Sequence, residues 1–119
     1  MNFRTEIQIK KSPQKINHSQ KILLLGSCFA QNMQVKFAEG GFEAMHPFGA
    51  IYNPYSVANS FKLIAEKQTP KPESLFFQKD KWNSYAFHSS YSSADKDIAL
   101  EQMNKTIGVA NEILNSKAP

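Results

Sequence analysis

The sequence predicts an α/β fold with parallel core strands, and three observations lead there. Four consecutive branched aliphatic residues, Ile22-Leu23-Leu24-Leu25, run directly into Gly26-Ser27. A helical stripe of Phe29, Met33 and Phe37 follows and ends at Gly40-Gly41. A second short apolar stretch, Phe42 to Met45, comes next. A parallel strand covered by helices on both faces is a continuous apolar run rather than an alternation. A spacing of four marks one face of a helix, and glycine ends helices because it accepts the left-handed backbone of a C-terminal cap.

The remaining elements follow in chain order. Phe3, Thr5, Ile7 and Ile9 alternate with Arg4, Glu6 and Gln8, a period of two that predicts a half-exposed edge strand. Lys10 to Gln20, with its Ser12-Pro13, reads as the loop leading into the strand at Ile22–Leu25. After the second strand, His46-Pro47-Phe48-Gly49 turns the chain into a loop that ends at Tyr52-Asn53-Pro54. Asn followed by Pro is an N-cap followed by the first helical position. Val57, Phe61, Ile64 and Ala65 supply the buried face of that helix, and Thr69-Pro70-Lys71-Pro72 stops it. Leu75-Phe76-Phe77 and Trp82 to Phe87 flank the polar turn Gln78–Lys81 and predict a hairpin. Ser92 with Asp95 resembles a capping box. It opens a last helix with the stripe Leu100, Met103, Ile107, Ala110 and Leu114. No internal repeat and no low-complexity tract interrupts this order.

Composition narrows the function classes. A chain of 119 residues makes one modest domain, 1–119, and not two. With 41% hydrophobic and 20% charged residues it falls among globular proteins and not among disordered ones. No apolar run is long enough to span a bilayer, so no membrane partner is expected. The charged, alternating N-terminus does not resemble a signal peptide, which predicts a cytoplasmic protein. The single cysteine, Cys28, has no internal disulfide partner and makes a poor zinc site. No metal and no cofactor are expected. The net charge is +4, but thirteen of the fourteen basic residues are lysines and only Lys10-Lys11 are adjacent. Nucleic-acid binders draw on arginine for bidentate contacts, so the lysines read as a solvated surface with no nucleic-acid partner.

Ser27 is the residue that raises a question of chemistry. Ligands of α/β sheets gather at the carboxyl ends of strands, and a helix N-terminus favours negative charge. A serine nucleophile needs a base to take its proton and donors aimed at the oxyanion. From spacing alone, Ser27 is better read as the N-cap of the following helix. Cys28 gains thiolate character at a helix N-terminus, yet one position past the turn it is expected in the helix–sheet interface as a small buried hydrophobe. His88, among Phe87, Ser89, Ser90 and Tyr91, is the best local candidate for a base, with Asp80 or Asp95 to orient it. A structural or substrate-contacting His88 is the plainer alternative. His46 is a loop residue near Gly49, at a possible site mouth, and His18 reads as a surface or packing residue. Trp82, Tyr85 and Tyr91 line either a carbohydrate or acyl pocket or the core.

Gly26-Ser27-Cys28-Phe29-Ala30 spells the motif for which the GSCFA family is named. Phe3-Arg4-Thr5, Lys15-Ile16-x-His18, Pro47-Phe48-Gly49-x-x-Tyr52-Asn53-Pro54, Trp82-x-Ser84 and Phe87-His88-Ser89 also resemble the N-terminal part of that family. The family is related to the SGNH (GDSL-like) hydrolases. The resemblance therefore implies a three-layer α/β/α, flavodoxin-like fold, of which this chain is the N-terminal part. It implies Ser27 as the nucleophile and Gly49 as an oxyanion-hole glycine, with His88 as base or substrate contact. Gly26, His46 and Asn53 would then face the substrate, a small-molecule ester or acylated carbohydrate. The asparagine of the third SGNH block and the Asp-x-x-His pair are not found in these residues. The expectation is a fragment whose base lies beyond residue 119 and which is inactive by itself. The rival reading is a non-catalytic small-molecule or carbohydrate binding module on the same fold. Apolar helix faces at Phe61, Ile107 and Leu114, left uncovered in a fragment, would predict self-association.

Overall fold

The parallel strand–helix–strand unit expected at the start of the fold is present in the computed structural model, which describes residues 3–116. Strand β1 (Lys21–Leu23) pairs in parallel with β2 (Glu43–Met45), with Lys21, Ile22 and Leu23 opposite Glu43, Ala44 and Met45. The helix between them, α1 (Cys28–Glu39), packs on β2. The β1 ladder stops at Leu23 although the apolar run continues to Leu25, because β2 offers only three partners. One further bond, from the Leu24 N–H to the Met45 carbonyl at 2.8 Å, carries the pairing on. An ion pair of Lys21 with Glu43 at 3.1 Å flanks the other end.

Gly40-Gly41 ends α1 as expected. Gly41 takes the left-handed backbone (φ 83°), its N–H bonds the Ala38 carbonyl, and the Phe42 N–H bonds that of Phe37. This is the paired capping pattern that satisfies the last helical carbonyls. The stripe of α1 is rotated from expectation. Ala30 is its buried residue and Met33 and Phe37 are half-buried, whereas Phe29 is 71% exposed. Cys28 is likewise exposed, which corrects the expectation of a buried thiol. Both residues stand in the first turn of the helix, off its buried face.

Helix α2 (Pro54–Ala65) starts where Asn53-Pro54 predicts. The Asn53 side-chain oxygen accepts from the Ser56 N–H at 2.8 Å, and Pro54 fills the first helical position. Its buried face is Ser60 and Ile64, with Val57 and Leu63 half-buried. Phe61 and Ala65, expected inside, are exposed. Ser60 is 2% exposed, and its hydroxyl donates to the Ser56 carbonyl one turn back, so no polar atom there is left unpaired. The hairpin β3 (Phe76–Gln78) and β4 (Lys81–Asn83) turns through Lys79-Asp80, both with positive φ. β4 ends at Asn83 and does not extend to Phe87, because the chain enters another turn at Ser84, whose hydroxyl accepts from the Ala86 N–H. Helix α3 (Lys96–Asn115) is capped by Asp95, which accepts from the N–H groups of Asp97 and Ile98. Ser92, expected as the cap, instead donates its hydroxyl to Asn83.

α3 packs on β1 and on α2. The core it closes consists of Phe48, Ile64, Leu75, Phe87, Ala99, Met103, Ile107 and Ala110. Ile107 is fully buried, which corrects its place among apolar residues left uncovered, whereas Phe61 (48%) and Leu114 (36%) are exposed. The expected strand at Phe3–Ile9 does not form. Residues 3–19 are exposed without strand or helix, with Phe3, Ile7 and Ile9 at 89, 80 and 88%. A two-residue period specifies a strand only where a sheet edge receives it, and no described strand pairs with this segment. This exposed arm accompanies a Cα radius of gyration of 17.3 Å, against roughly 13–14 Å for a compact chain of this length. The Lys117-Ala118-Pro119 segment lies outside the described residues. The elements make an α/β protein, with a parallel pair and a separate hairpin as its described sheets. No described helix is long and apolar enough to cross a membrane.

Candidate active site

The turn after β1 is fixed by one carbonyl. Gly26 has φ 144°, a backbone that side-chain-bearing residues rarely adopt. Its oxygen accepts two hydrogen bonds from the loop after β2, one from the Ile51 N–H at 2.8 Å and one from His46 Nε2 at 3.2 Å. The His46 ring therefore carries its proton on Nε2. Ser27 follows as the N-cap of α1, half-buried, and its Oγ accepts from the Phe29 N–H at 3.3 Å. The cap leaves the hydroxyl proton free to donate. The first three N–H groups of a helix have no partners inside it. With that of Phe29 bonded to Ser27, those of Cys28 and Ala30 complete the positive end of α1.

Gly49 lies in a loop held just as closely. Pro47 and Phe48 are buried, and Phe48 has φ 70°, unusual for a bulky residue. Full burial of its ring, 4.5 Å from that of Phe87, offsets this strain. The Phe48 carbonyl accepts from the His88 N–H at 2.7 Å. Gly49 itself has φ 78°, and a Cβ added there would stand 2.3 Å from the His88 Cβ. Glycine is thus required at 49 both by conformation and by the close approach of His88.

The candidate residues divide between two cavities. Ser27 and Asn53 face an apolar groove of about 580 Å³ walled by Leu25, Ile51, Val57 and Phe61. Gly49, His46 and His88 face a polar cleft of about 500 Å³. The segment from Gly49 to Asn53 runs between them, and the Ile51 bond to Gly26 ties it to the serine turn. The Asn53 side chain is committed to capping α2.

Neither Asp80 nor Asp95 orients a histidine. Asp80 stands in the hairpin turn, and Asp95 caps α3. His88 Nδ1 accepts from the Ser90 N–H at 3.1 Å and lies 3.2 Å from the Ser90 hydroxyl. His18 Nε2 donates to the Gly40 carbonyl at 2.9 Å, and its ring stacks on Phe42 with centroids 4.1 Å apart, so it braces the end of α1. Of the aromatic candidates, Tyr91 borders the polar cleft and packs against Phe87. Trp82 packs on Phe77 beneath the Lys96 ammonium, and Tyr85, 92% exposed, stacks on Phe76. No group of His, Cys, Asp and Glu side chains suited to a metal ion occurs among the described residues.

The doubly held Gly26 carbonyl is the feature that sequence reasoning missed. Its donors, His46 and Ile51, stand twenty or more positions from Gly26, so no local pattern marks it. Fold and site together define an α/β protein whose first parallel strand ends in a glycine–serine turn at the mouth of an apolar groove. The GSCFA family model matches residues 21–118, and the chain belongs to the GSCFA family. Phe3-Arg4-Thr5 and Lys15-Ile16-x-His18 precede the matched segment. No curated protein and no solved structure matches the chain significantly.

Proposed function

We propose that this chain carries the nucleophile-bearing part of an SGNH-like serine hydrolase or acyltransferase that acts on an ester, with Ser27 as the nucleophile. The observation that carries this reading is the position of Ser27. It is the last residue of a clamped strand-to-helix turn, at the positive end of α1, and it lines an apolar groove. In the proposed reaction the Ser27 oxygen attacks the acyl carbon and its proton passes to a histidine base. N–H groups near Ser27 and Gly49 stabilise the negative charge that develops on the carbonyl oxygen. The alcohol leaves with a proton from the same histidine, and water or an acceptor alcohol then releases the acyl group.

Among the described residues no histidine bonds Ser27, and none pairs with a carboxylate. The base and its orienting acid are therefore proposed to come from outside these 119 residues, within a three-layer α/β/α domain to which β1 and β2 would contribute. This shortage of a base also supports the second reading, a binding module that keeps the pocket without the chemistry.

A fluorophosphonate probe separates the two. In a longer form of the polypeptide carrying an Asp-x-x-His segment, Ser27 is expected to be labelled and Ser27→Ala to abolish labelling. The 119-residue chain is expected to react far more slowly. Absence of label at Ser27 in a folded longer form, or label that survives Ser27→Ala, overturns the enzyme reading in favour of the binding module.

A further inference from the structure

We propose that the polar cleft between α1 and α3 is a binding site for an anionic sugar, separate from the groove at Ser27. The cleft's volume, about 500 Å³, is that of a small-molecule site. Its two long walls are amide-rich. Gln31 and Gln34 come from α1, and Gln102, Lys105 and Thr106 face them from α3. The 3-10 turn at Ser89–Tyr91 closes a third side with Ser90 and Tyr91, beside His88 and Gly49.

The chemistry of these walls is selective. Side-chain amides and hydroxyls present donors and acceptors together, which is what a ring of sugar hydroxyls requires. Two groups are already oriented by the protein. The Gln34 amide nitrogen donates to the Ala44 carbonyl at 3.3 Å, which leaves its oxygen as an acceptor. The Ser90 N–H donates to His88 Nδ1, so the neutral ring carries its proton on Nε2 as a donor. An apolar ligand would strip water from all of these groups and leave them unpaired.

Charge decides the kind of sugar. Among the described residues no aspartate or glutamate lines the cleft, and Lys105 is the one charged residue of its walls. Among the described residues no carboxylate lies within 4.0 Å of the Lys105 ammonium. Glu101, one turn before it on α3, is exposed and does not line the cleft. A carboxylate or phosphate on the sugar gives Lys105 a charge-assisted partner, a neutral sugar leaves it without one, and an amino sugar is repelled. Ser27 does not line this cleft, so the site concerns binding; it touches the proposed reaction at the serine only through Gly49, which borders the cleft.

The test titrates the ¹⁵N-labelled chain with glucuronate, glucose 6-phosphate, glucose, glucosamine and inorganic phosphate, following backbone amide signals. Glucuronate and glucose 6-phosphate are expected to shift Gln31, Gly49, Gln102 and Thr106 saturably, with glucose weaker by about tenfold or more. Lys105→Met is expected to remove that advantage and leave glucose unchanged, whereas Gln102→Leu weakens every sugar. Both positions are exposed, and dispersed spectra verify that the variants are folded. No saturable shift, glucosamine binding as tightly as glucuronate, or Lys105→Met without effect overturns the proposal. Phosphate alone matching glucose 6-phosphate also overturns it, since the site would then hold only an anion. Ser27→Ala is expected to bind normally, so failure here and failure of the nucleophile assignment are read in different experiments.

Discussion

The two halves of the molecule are buried to different depths, and the candidate nucleophile belongs to the shallower one. In the β1–α1–β2 unit, residues 21–45, only Ala30 is buried, and Ile22 and Leu23 on β1 remain half-exposed. In residues 46–116 a continuous core runs from Phe48 through Ile64 and Phe87 to Met103, Ile107 and Ala110, all but Phe87 at zero exposure. Burial of apolar surface is the main source of stability. The second half therefore stabilises the fold, and the first is held against it through α3 on β1 and the Gly26 carbonyl clamp. A strand–helix unit with so little cover presents its serine turn to whatever binds beside it.

The sharpest way to break this comparison is a pair of equal truncations, one in each half. Ile107→Ala removes a fully buried side chain and should destabilise the protein by about 2–5 kcal/mol. Ile22→Ala removes a half-exposed one and should lower stability by less than about 1.5 kcal/mol, because less area leaves the interior and no closed cavity forms. Urea unfolding of the two variants measures the difference. Equal losses would mean that β1 contributes to the core as fully as α3 does, and the comparison would fail.

A second variant probes the junction of the halves. Gly49→Ala should destabilise by about 2–3 kcal/mol, from a positive-φ alanine and from overlap with the His88 Cβ. Replacing His88 by glycine in the Gly49→Ala background should recover the part due to overlap. A double-mutant cycle by thermal unfolding reads this as a favourable coupling. Purely additive losses would show that His88 moves aside freely and that the junction is soft.

How much of this was legible in the residues depended on whether the cause was local. Asn53-Pro54 fixed the start of α2, Gly40-Gly41 the end of α1, and the stripe Met103, Ile107, Ala110 the inner face of α3, because capping and periodicity act within a few residues. Phe3–Ile9 has the alternation of a strand and is none, because a partner edge cannot be read from the segment itself. Phe61 and Phe29 have the right spacing for burial and are exposed, because which side of a helix is covered depends on what packs there. At the site, the Gly-Ser turn was evident, and the family motif marked Gly49. The clamp of His46 and Ile51 on the Gly26 carbonyl joins residues twenty or more positions apart, and no local pattern announces it. The same is true of the division of Ser27 and Gly49 between an apolar groove and a polar cleft.

The smallest effect expected concerns a helix end that the sequence conceals, in the deeply buried half. Pro70 and Pro72 mark the segment after α2 as non-helical, but the helix stops earlier, at Ala65, and Lys67 closes its end. That residue adopts φ 50°, its N–H bonds the Ile64 carbonyl, and the Gln68 N–H bonds that of Leu63. This is the capping pattern that glycine completes at the end of α1, here with a lysine in the left-handed position. A non-glycine residue is strained there by roughly 1 kcal/mol, through its Cβ and the neighbouring carbonyl. Lys67→Gly removes that strain while widening the unfolded ensemble, and the two act in opposite directions. A net gain of about 0.5 kcal/mol is expected, a rise of about 2–4 °C in the melting temperature for a domain of this size. The equivalent change at Glu66, whose backbone is right-handed, should instead lower it. If Lys67→Gly also destabilises, the left-handed end of α2 is not held by its cap, and the firmness assigned to this half rests on core packing alone.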